Sequence, residues 1–319
     1  KSPNRRIPIQ KVPSSSTKDT DPLTAANAEI SRLKDEVLRL QKEVDTLKKS
    51  AKKTETEEVS KPKPPSTSQP GIDLLRQSTI NSLKIVETIG RGAQSQVYKV
   101  SRDEYYALKV LDVISSLKKS KNSQNMVDHL KRFLQEYEIL HMLNHPNIIR
   151  AFGFSFGDDK HGPSILLEFC ASSLSDAVED MSDIERVCLI YEVSIAMAAV
   201  HAAGLIHRDL KPANILIDSQ KHVRVSDFGV SCIASVESQT QSMTGGVGTL
   251  KFMAPELLNE SKRYSNKVDV YSFGVVVFFV LTGGEMPKVR FAEQVTGKQA
   301  KIPKEINDVS RELIGRCWS

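Results

Sequence analysis

The sequence predicts an α+β chain, with a small strand-rich lobe and a larger helical lobe preceded by a separate coiled-coil helix. Three observations carry this reading. From about Ser78, short β-branched and aromatic runs punctuated by glycine give way to longer helical patterns. Before that point, Lys52 to Gly71 mixes Lys, Glu, Thr and Ser with Pro62, Pro64, Pro65 and Pro70, the composition of a semi-extended linker. Earlier still, apolar residues recur at alternating spacings of three and four.

The chain is therefore divided into a disordered tail (1–22), a coiled coil (23–51), a flexible linker (52–77) and a globular region (78–319). In the last, the first lobe covers about 78–168 and the second about 171–319. The tail is rich in Pro, Ser, Thr and Lys and has too few large apolar side chains to offset ordering entropy. In the coiled coil, Leu23, Ala26, Ile30, Leu33, Val37, Leu40, Val44 and Leu47 form the seam. Ile30, Val37 and Val44 at a, with Leu33, Leu40 and Leu47 at d, favour two parallel strands. Glu29 and Glu43 at g can pair with Lys34 and Lys48 at e of the partner helix. A parallel dimer follows as the expectation, homomeric or heteromeric. The competing reading is an amphipathic helix packed on its own domain.

The net charge of +5 comes from the first 70 residues, and the remainder is balanced. A nucleic-acid binder concentrates basic charge on its folded face, so no nucleic-acid partner is expected. Four cysteines, Cys170, Cys188, Cys232 and Cys317, lack close pairing, which suits a reducing, intracellular and by default cytoplasmic setting. The longest apolar run, Phe273 to Leu281, is far short of the ~20 residues needed to span a bilayer, so no transmembrane segment is expected and a buried helix explains it.

Two short segments carry possible chemistry. Ile89 to Val97 places Gly90 and Gly92 between strands, where backbone amides could approach phosphate oxygens, although an ordinary hairpin reads the same way. Tyr106 to Val110 sets Lys109 inside an apolar strand, where an unpaired ammonium would cost several kcal/mol, on the order of the desolvation of one polar group or more. Glu136 is the natural partner, turned inward by its helical spacing with Leu140 and Leu143. Glu138 stands close enough to need excluding.

The most specific cluster runs His207, Arg208, Asp209, Leu210, Lys211, Pro212, Ala213, Asn214, followed by Asp227, Phe228, Gly229 and then Ala254, Pro255, Glu256. From about residue 83 to 319 the chain resembles the protein-kinase family. The resemblance implies the bilobal protein-kinase fold, with ATP and Mg²⁺ as cofactors and proteins as substrates.

It also implies roles. Gly90 and Gly92 would cover the phosphates, and Lys109 would pair with Glu136 and the nucleotide. Asp209 would be the base and Lys211 would stand by the transferred group. Asn214 and Asp227 would hold the metal. Val97 and Ala107 would wall the adenine pocket above and Leu216 below, with Leu167 at its rear. Glu168 and Cys170 lie in the segment joining the lobes. For these apolar residues, plain core is the bland alternative.

Lys211-Pro212 and the stretch Gly248-Thr249 to Glu256 resemble serine/threonine kinases, and Cys317-Trp318 resembles their tyrosine-kinase-like branch. Arg208 would receive a phosphate on the activation segment, where Ser235, Ser238, Thr240, Ser242 and Thr244 are acceptors and Thr244 or Ser242 is favoured. Dimerisation would then promote phosphorylation in trans. Three departures stand out: Ser95 replaces a third glycine, Tyr271 replaces a tryptophan, and the chain ends before the arginine that pairs with Glu256 in the family, so C-terminal truncation is expected. The rival function is an inactive pseudokinase scaffold, which commonly lacks one of Lys109, Glu136, Asp209, Asn214 or Asp227.

Overall fold

A computed structural model describes residues 77–92, 94–112, 123–157, 162–233, 250–259 and 264–319. The expected tail, coiled coil and, up to residue 76, the linker lie outside the described residues. So do the five activation-segment acceptors and the pair Gly248-Thr249.

The first lobe opens with α1 (Gln77–Ser82), one residue before the expected boundary. A five-stranded antiparallel sheet follows: β1 (Lys84–Arg91), β2 (Ser95–Ser101), β3 (Tyr105–Leu111), β4 (Ala151–Ser155) and β5 (Ser164–Glu168), in the order β1-β2-β3-β5-β4. Alternation along β3 assigns its two faces. Leu108 joins Ile80, Val100 and Leu166 in a small outer cluster, with Tyr106 and Val110 packed on it. Ala107 and Leu111 face the main core. Lys109 shares their parity and so projects toward the interior.

The opposing helix is α2 (Ser123–Met142). Leu130, Phe133, Tyr137 and Leu140 recur at helical spacing and are all buried. The rings of Phe133 and Tyr137 lie 6.0 and 5.7 Å from that of Phe154 on β4, which seats the helix on the sheet. Glu136 falls on the same buried face and is 3% exposed, whereas Glu138 is exposed on the outside.

Beyond β5 come β6 (Ser172–Ser173), α3 (Leu174–Ala177), a 3₁₀ turn (Val178–Asp180) and α4 (Asp183–Ala202). Ser182 starts α4: its hydroxyl accepts from the Glu185 amide while Glu185 reaches back to the Ser182 amide at 2.9 Å. Short strands β7 (Leu205–Ile206), β8 (Ile215–Ile217), β9 (Val223–Val225) and β10 (Cys232–Ile233) form a β6-β8-β9 sheet and a β10-β7 pair. The lobe is completed by α5 (Pro255–Leu258), α6 (Lys267–Leu281), α7 (Phe291–Val295) and α8 (Asp308–Trp318).

The run Phe273 to Leu281 lies in α6, where Gly274 through Val280 are all buried. Such a helix, apolar around its whole circumference, belongs at the centre of a lobe. Gly274 is where α8 crosses it: a Cβ there would stand 2.6 Å from Cys317 Cβ and 2.8 Å from Trp318 Nε1. Among the described residues, no helix is long and apolar enough to cross a membrane.

Candidate active site

The cleft between the lobes gathers the residues singled out by the sequence. From β3, Lys109 Nζ donates to both carboxylate oxygens of Glu136, at 2.6 and 2.8 Å, and to Asp227 Oδ1 at 3.0 Å. The choice between Glu136 and Glu138 is thereby made. Burial pulls the Lys109 pKa down, but the two carboxylates outweigh it and hold the ammonium above its ordinary range. The Lys109 charge in turn holds the Asp227 carboxyl below the usual carboxylate range, against desolvation.

Across the cleft, Asp209 is the hub of a short loop. Lys211 Nζ donates to Asp209 Oδ2 at 2.7 Å, and Asn214 Nδ2 donates to the same oxygen at 3.0 Å and to the Asp209 carbonyl at 2.8 Å. Pro212–Asn214 is a 3₁₀ turn, with proline supplying the preset φ at its first position. That turn brings a carboxamide five residues away back onto the aspartate.

Two residues of this apparatus, Arg208 (φ 67°) and Asp227 (φ 64°), occupy the left-handed region, which costs a non-glycine residue roughly 1–3 kcal/mol. Their surroundings explain how they persist. Asp269 of α6, fully buried, accepts hydrogen bonds from the backbone amides of His207 and Arg208, both at 2.8 Å. His201 Nε2 also lies 2.8 Å from Asp269 Oδ2. His207 Nε2 is 3.0 Å from the Ser226 carbonyl oxygen and its ring packs on Phe228, which ties the loop to the segment carrying Asp227.

The phosphate-loop glycines give a different kind of result. Neither Gly90 nor Gly92 has a positive φ, and a Cβ at either would find its nearest neighbour at 3.6 or 3.5 Å, an ordinary contact. The fold itself does not require glycine at these positions.

Around the expected adenine site, Val97, Ala107, Leu167, Cys170 and Leu216 belong to one apolar cluster. The carboxylate of Glu168 turns away onto Arg224, whose Nε donates to its two oxygens at 3.1 and 3.2 Å while Nη2 reaches Asp218 at 2.8 Å. The Glu168 charge is thus engaged by Arg224, and its backbone N–H by the Arg150 carbonyl at 2.9 Å. Burial, reinforced by the Glu168 carboxylate, pushes the Cys170 thiol up to about 12.

Sequence reasoning missed Asp269, Arg224 and Gln294 as supports of the site. Gln294 of α7 is buried, and its Nε2 donates to the carbonyls of Leu250 and Met253 at 3.0 and 2.9 Å, fixing the strip before Ala254. A signal existed only for Asp269: a carboxylate inside an apolar helix must find donors.

A five-stranded sheet hinged to a helical lobe, with a lysine–carboxylate contact on one wall of the cleft and an aspartate-centred loop on the other, defines a two-lobed kinase domain. The chain belongs to the protein kinase domain family, whose model matches residues 83–317. Among its relatives, the Serine/threonine/tyrosine-protein kinase HT1 of Arabidopsis thaliana is 30% identical over 255 residues, 75% of this chain and 62% of the relative. Serine/threonine-protein kinase STY46 of the same plant is 32% identical over 251 residues, covering 75% of this chain and 41% of the relative. An Aurora kinase of Saccharomyces cerevisiae is 30% identical over 247 residues, covering 74% and 64%. The chain thus spans less than two thirds of the length of these relatives.

Proposed function

We propose that this chain transfers the γ-phosphoryl group of ATP, bound with Mg²⁺, to serine or threonine hydroxyls of protein substrates. The observation that carries the reading is the Lys109–Asp227 contact at 3.0 Å, which joins the first lobe's cation to the second lobe's carboxylate beside the Asp209 loop. Family membership and relatives named as serine/threonine kinases support it.

The donor set fits a metal that brings its own phosphate ligands. Among the described residues no group of three or more His, Cys, Asp or Glu could hold an ion alone. Mg²⁺ typically takes one or two protein oxygens and completes its shell with phosphate and water, and Asn214 and Asp227 supply such a pair. Bound Mg-ATP would supply the phosphoryl group and the neutralisation of its charge.

The chain's own residues do the rest. Asp209 orients the acceptor hydroxyl and takes its proton as the new oxygen–phosphorus bond forms and the bond to the β-phosphate oxygen breaks, leaving ADP. Lys211 offsets charge on the transferred group, and Lys109, held by Glu136, positions the phosphates. Gly90 and Gly92 let backbone amides close over them. Val97, Ala107 and Leu216 sandwich the base, with the Glu168–Cys170 backbone at its edge. Residues 23–51 pair two chains, raising the local concentration of one domain near another's activation segment, and Arg208 receives the resulting phosphate. The Arg208 side chain is already held, with Nη1 2.8 Å from the Tyr264 hydroxyl.

The test is transfer of labelled γ-phosphate to a mixed peptide library and to the chain itself, with Asp209→Asn as control. Labelled serine or threonine that disappears in the variant supports the proposal. Nucleotide binding without any transfer, in a folded protein, favours the scaffold function instead.

A further inference from the structure

A cavity of about 650 Å³ opens beside Lys211 and takes no part in the chemistry above. Its walls come from Val178 of the first 3₁₀ turn, Pro212 and Ala213 of the second, Phe252 of the strip before Ala254, Phe279 of α6, and Met286. Val178 and Pro212 are buried and Ala213 is exposed at the mouth. Gly284 keeps the mouth open: its φ of 106° is in the left-handed region, and a Cβ there would press to 3.3 Å from Val178 Cγ1.

The cavity is continuous with the proposed catalytic site. Lys211 lines it while its Nζ sits 2.7 Å from Asp209 Oδ2. A polypeptide whose hydroxyl rests at Asp209 therefore passes over the opening within roughly one to three residues, at about 3.3–3.6 Å per extended residue. One wall is also held in advance, because Phe252 accepts from Ser272 Oγ at 2.8 Å through its carbonyl and the carbonyls of Leu250 and Met253 are fixed by Gln294. A preformed wall lowers the ordering cost of binding.

Charge at the rim narrows the occupant. Lys211, whose charge is already paired with Asp209, and Lys251 stand there with Glu179, so an incoming guanidinium or ammonium would gain no net attraction at the rim and would lose hydration over a mostly apolar interior. We propose that this cavity binds a bulky apolar side chain of the protein substrate, of the leucine, methionine or phenylalanine kind, one to three residues from the acceptor serine or threonine. The cavity selects against arginine and lysine at that position. This rests on the reading of the chain as a protein kinase and adds a substrate class to it.

The experiment uses the full chain and peptides built on a single serine or threonine, with each flanking position in turn set to Leu, Phe, Ala, Arg or Asp. Phosphorylation is measured as kcat/KM, and binding is measured separately by fluorescence anisotropy without nucleotide. At one flanking position Leu or Phe should exceed Ala by about ten- to hundredfold in both measurements, with Arg at or below Ala. Ala213→Glu should shrink that ratio to about threefold or less in both measurements. Met286→Gln should shrink it in part.

Equal rates across the series, a preference for Arg in the unaltered chain, or a Leu preference untouched by both variants would overturn the proposal. If no phosphate is transferred to any acceptor, the kinase reading fails, and anisotropy still decides the cavity. Tighter binding of Leu or Phe peptides that Ala213→Glu abolishes supports it, and uniform binding refutes it.

Discussion

Lys109 Nζ lies 3.0 Å from Asp227 Oδ1, so one hydrogen bond joins residues 118 apart in sequence and spans the two lobes. Replacing the lysine should leave Glu136 buried without its cation. Lys109→Met is expected to destabilise the fold by about 3–5 kcal/mol, the range for breaking a buried pair. If the proposed chemistry holds, it should also lower phosphate transfer by about 10²–10³-fold. The pH dependence has a definite sign. The Asp227 carboxyl is depressed, so its contribution is complete above about pH 4, the unfolded value, and is lost as pH falls further. Lys109 is raised, so its share is complete below about pH 10 and is lost only as pH climbs beyond the folded value. Burial already raises the Glu136 carboxyl and removing the ammonium raises it further, so urea unfolding should show a gap between wild type and variant that narrows as pH falls and Glu136 takes up a proton; a gap insensitive to acid would contradict the pairing.

Asp269 holds two backbone amides of the Asp209 loop, one of them on a residue with φ of 67°. Asp269→Ala should cost about 3–5 kcal/mol by leaving both amides buried without acceptors. Asp269→Asn, which keeps one acceptor oxygen, should cost less. Thermal unfolding of both variants provides the comparison.

Gly274 admits α8 against α6. Gly274→Ala should destabilise by about 1–3 kcal/mol through overpacking on Cys317 and Trp318. Trp318 is the chain's one tryptophan, so its emission should move in the same variant. An unchanged spectrum and stability would mean that the helices part without strain.

Arg224 bridges Glu168 and Asp218 beneath the joining segment. If the proposed chemistry holds, Arg224→Gln should raise the KM for ATP by about tenfold and change kcat much less, because it loosens the proposed nucleotide edge without touching Asp209. An equal fall in kcat with KM unchanged would place Arg224 in the chemistry instead.

Cys170 and Cys188 should differ in reactivity. The Cys170 thiol is half-buried with its pKa pushed up to about 12, while Cys188 is exposed on α4. Iodoacetamide at about pH 8 should modify Cys188 and leave Cys170 unmodified on the same timescale, as mass spectrometry of the digest would show.

Much of the cleft was legible because its parts are local. A lysine in an apolar strand demands a partner, and helical spacing pointed to Glu136, which the structure pairs with it. Asp209, Lys211 and Asn214 sit within six residues, so the loop that joins them could be read as a unit. What was not legible depends on distance along the chain. The contact of Arg224 with Glu168 spans 56 residues and that of His207 with Asp269 spans 62, and no periodicity encodes such pairings. The two glycines were legible as a turn, but only the structure shows that the fold would tolerate side chains there.

The amide of Gln294 secures carbonyls 41 and 44 residues earlier in the chain. Lys109 and Glu136 are 27 residues apart, and Asn214 and Asp209 only five. Contacts of short separation close first, since less chain entropy opposes them. As the polypeptide leaves the ribosome, the Lys109–Glu136 and Asp209–Asn214 contacts can form while the strip before Ala254 still lacks its clasp, which arrives only with residue 294.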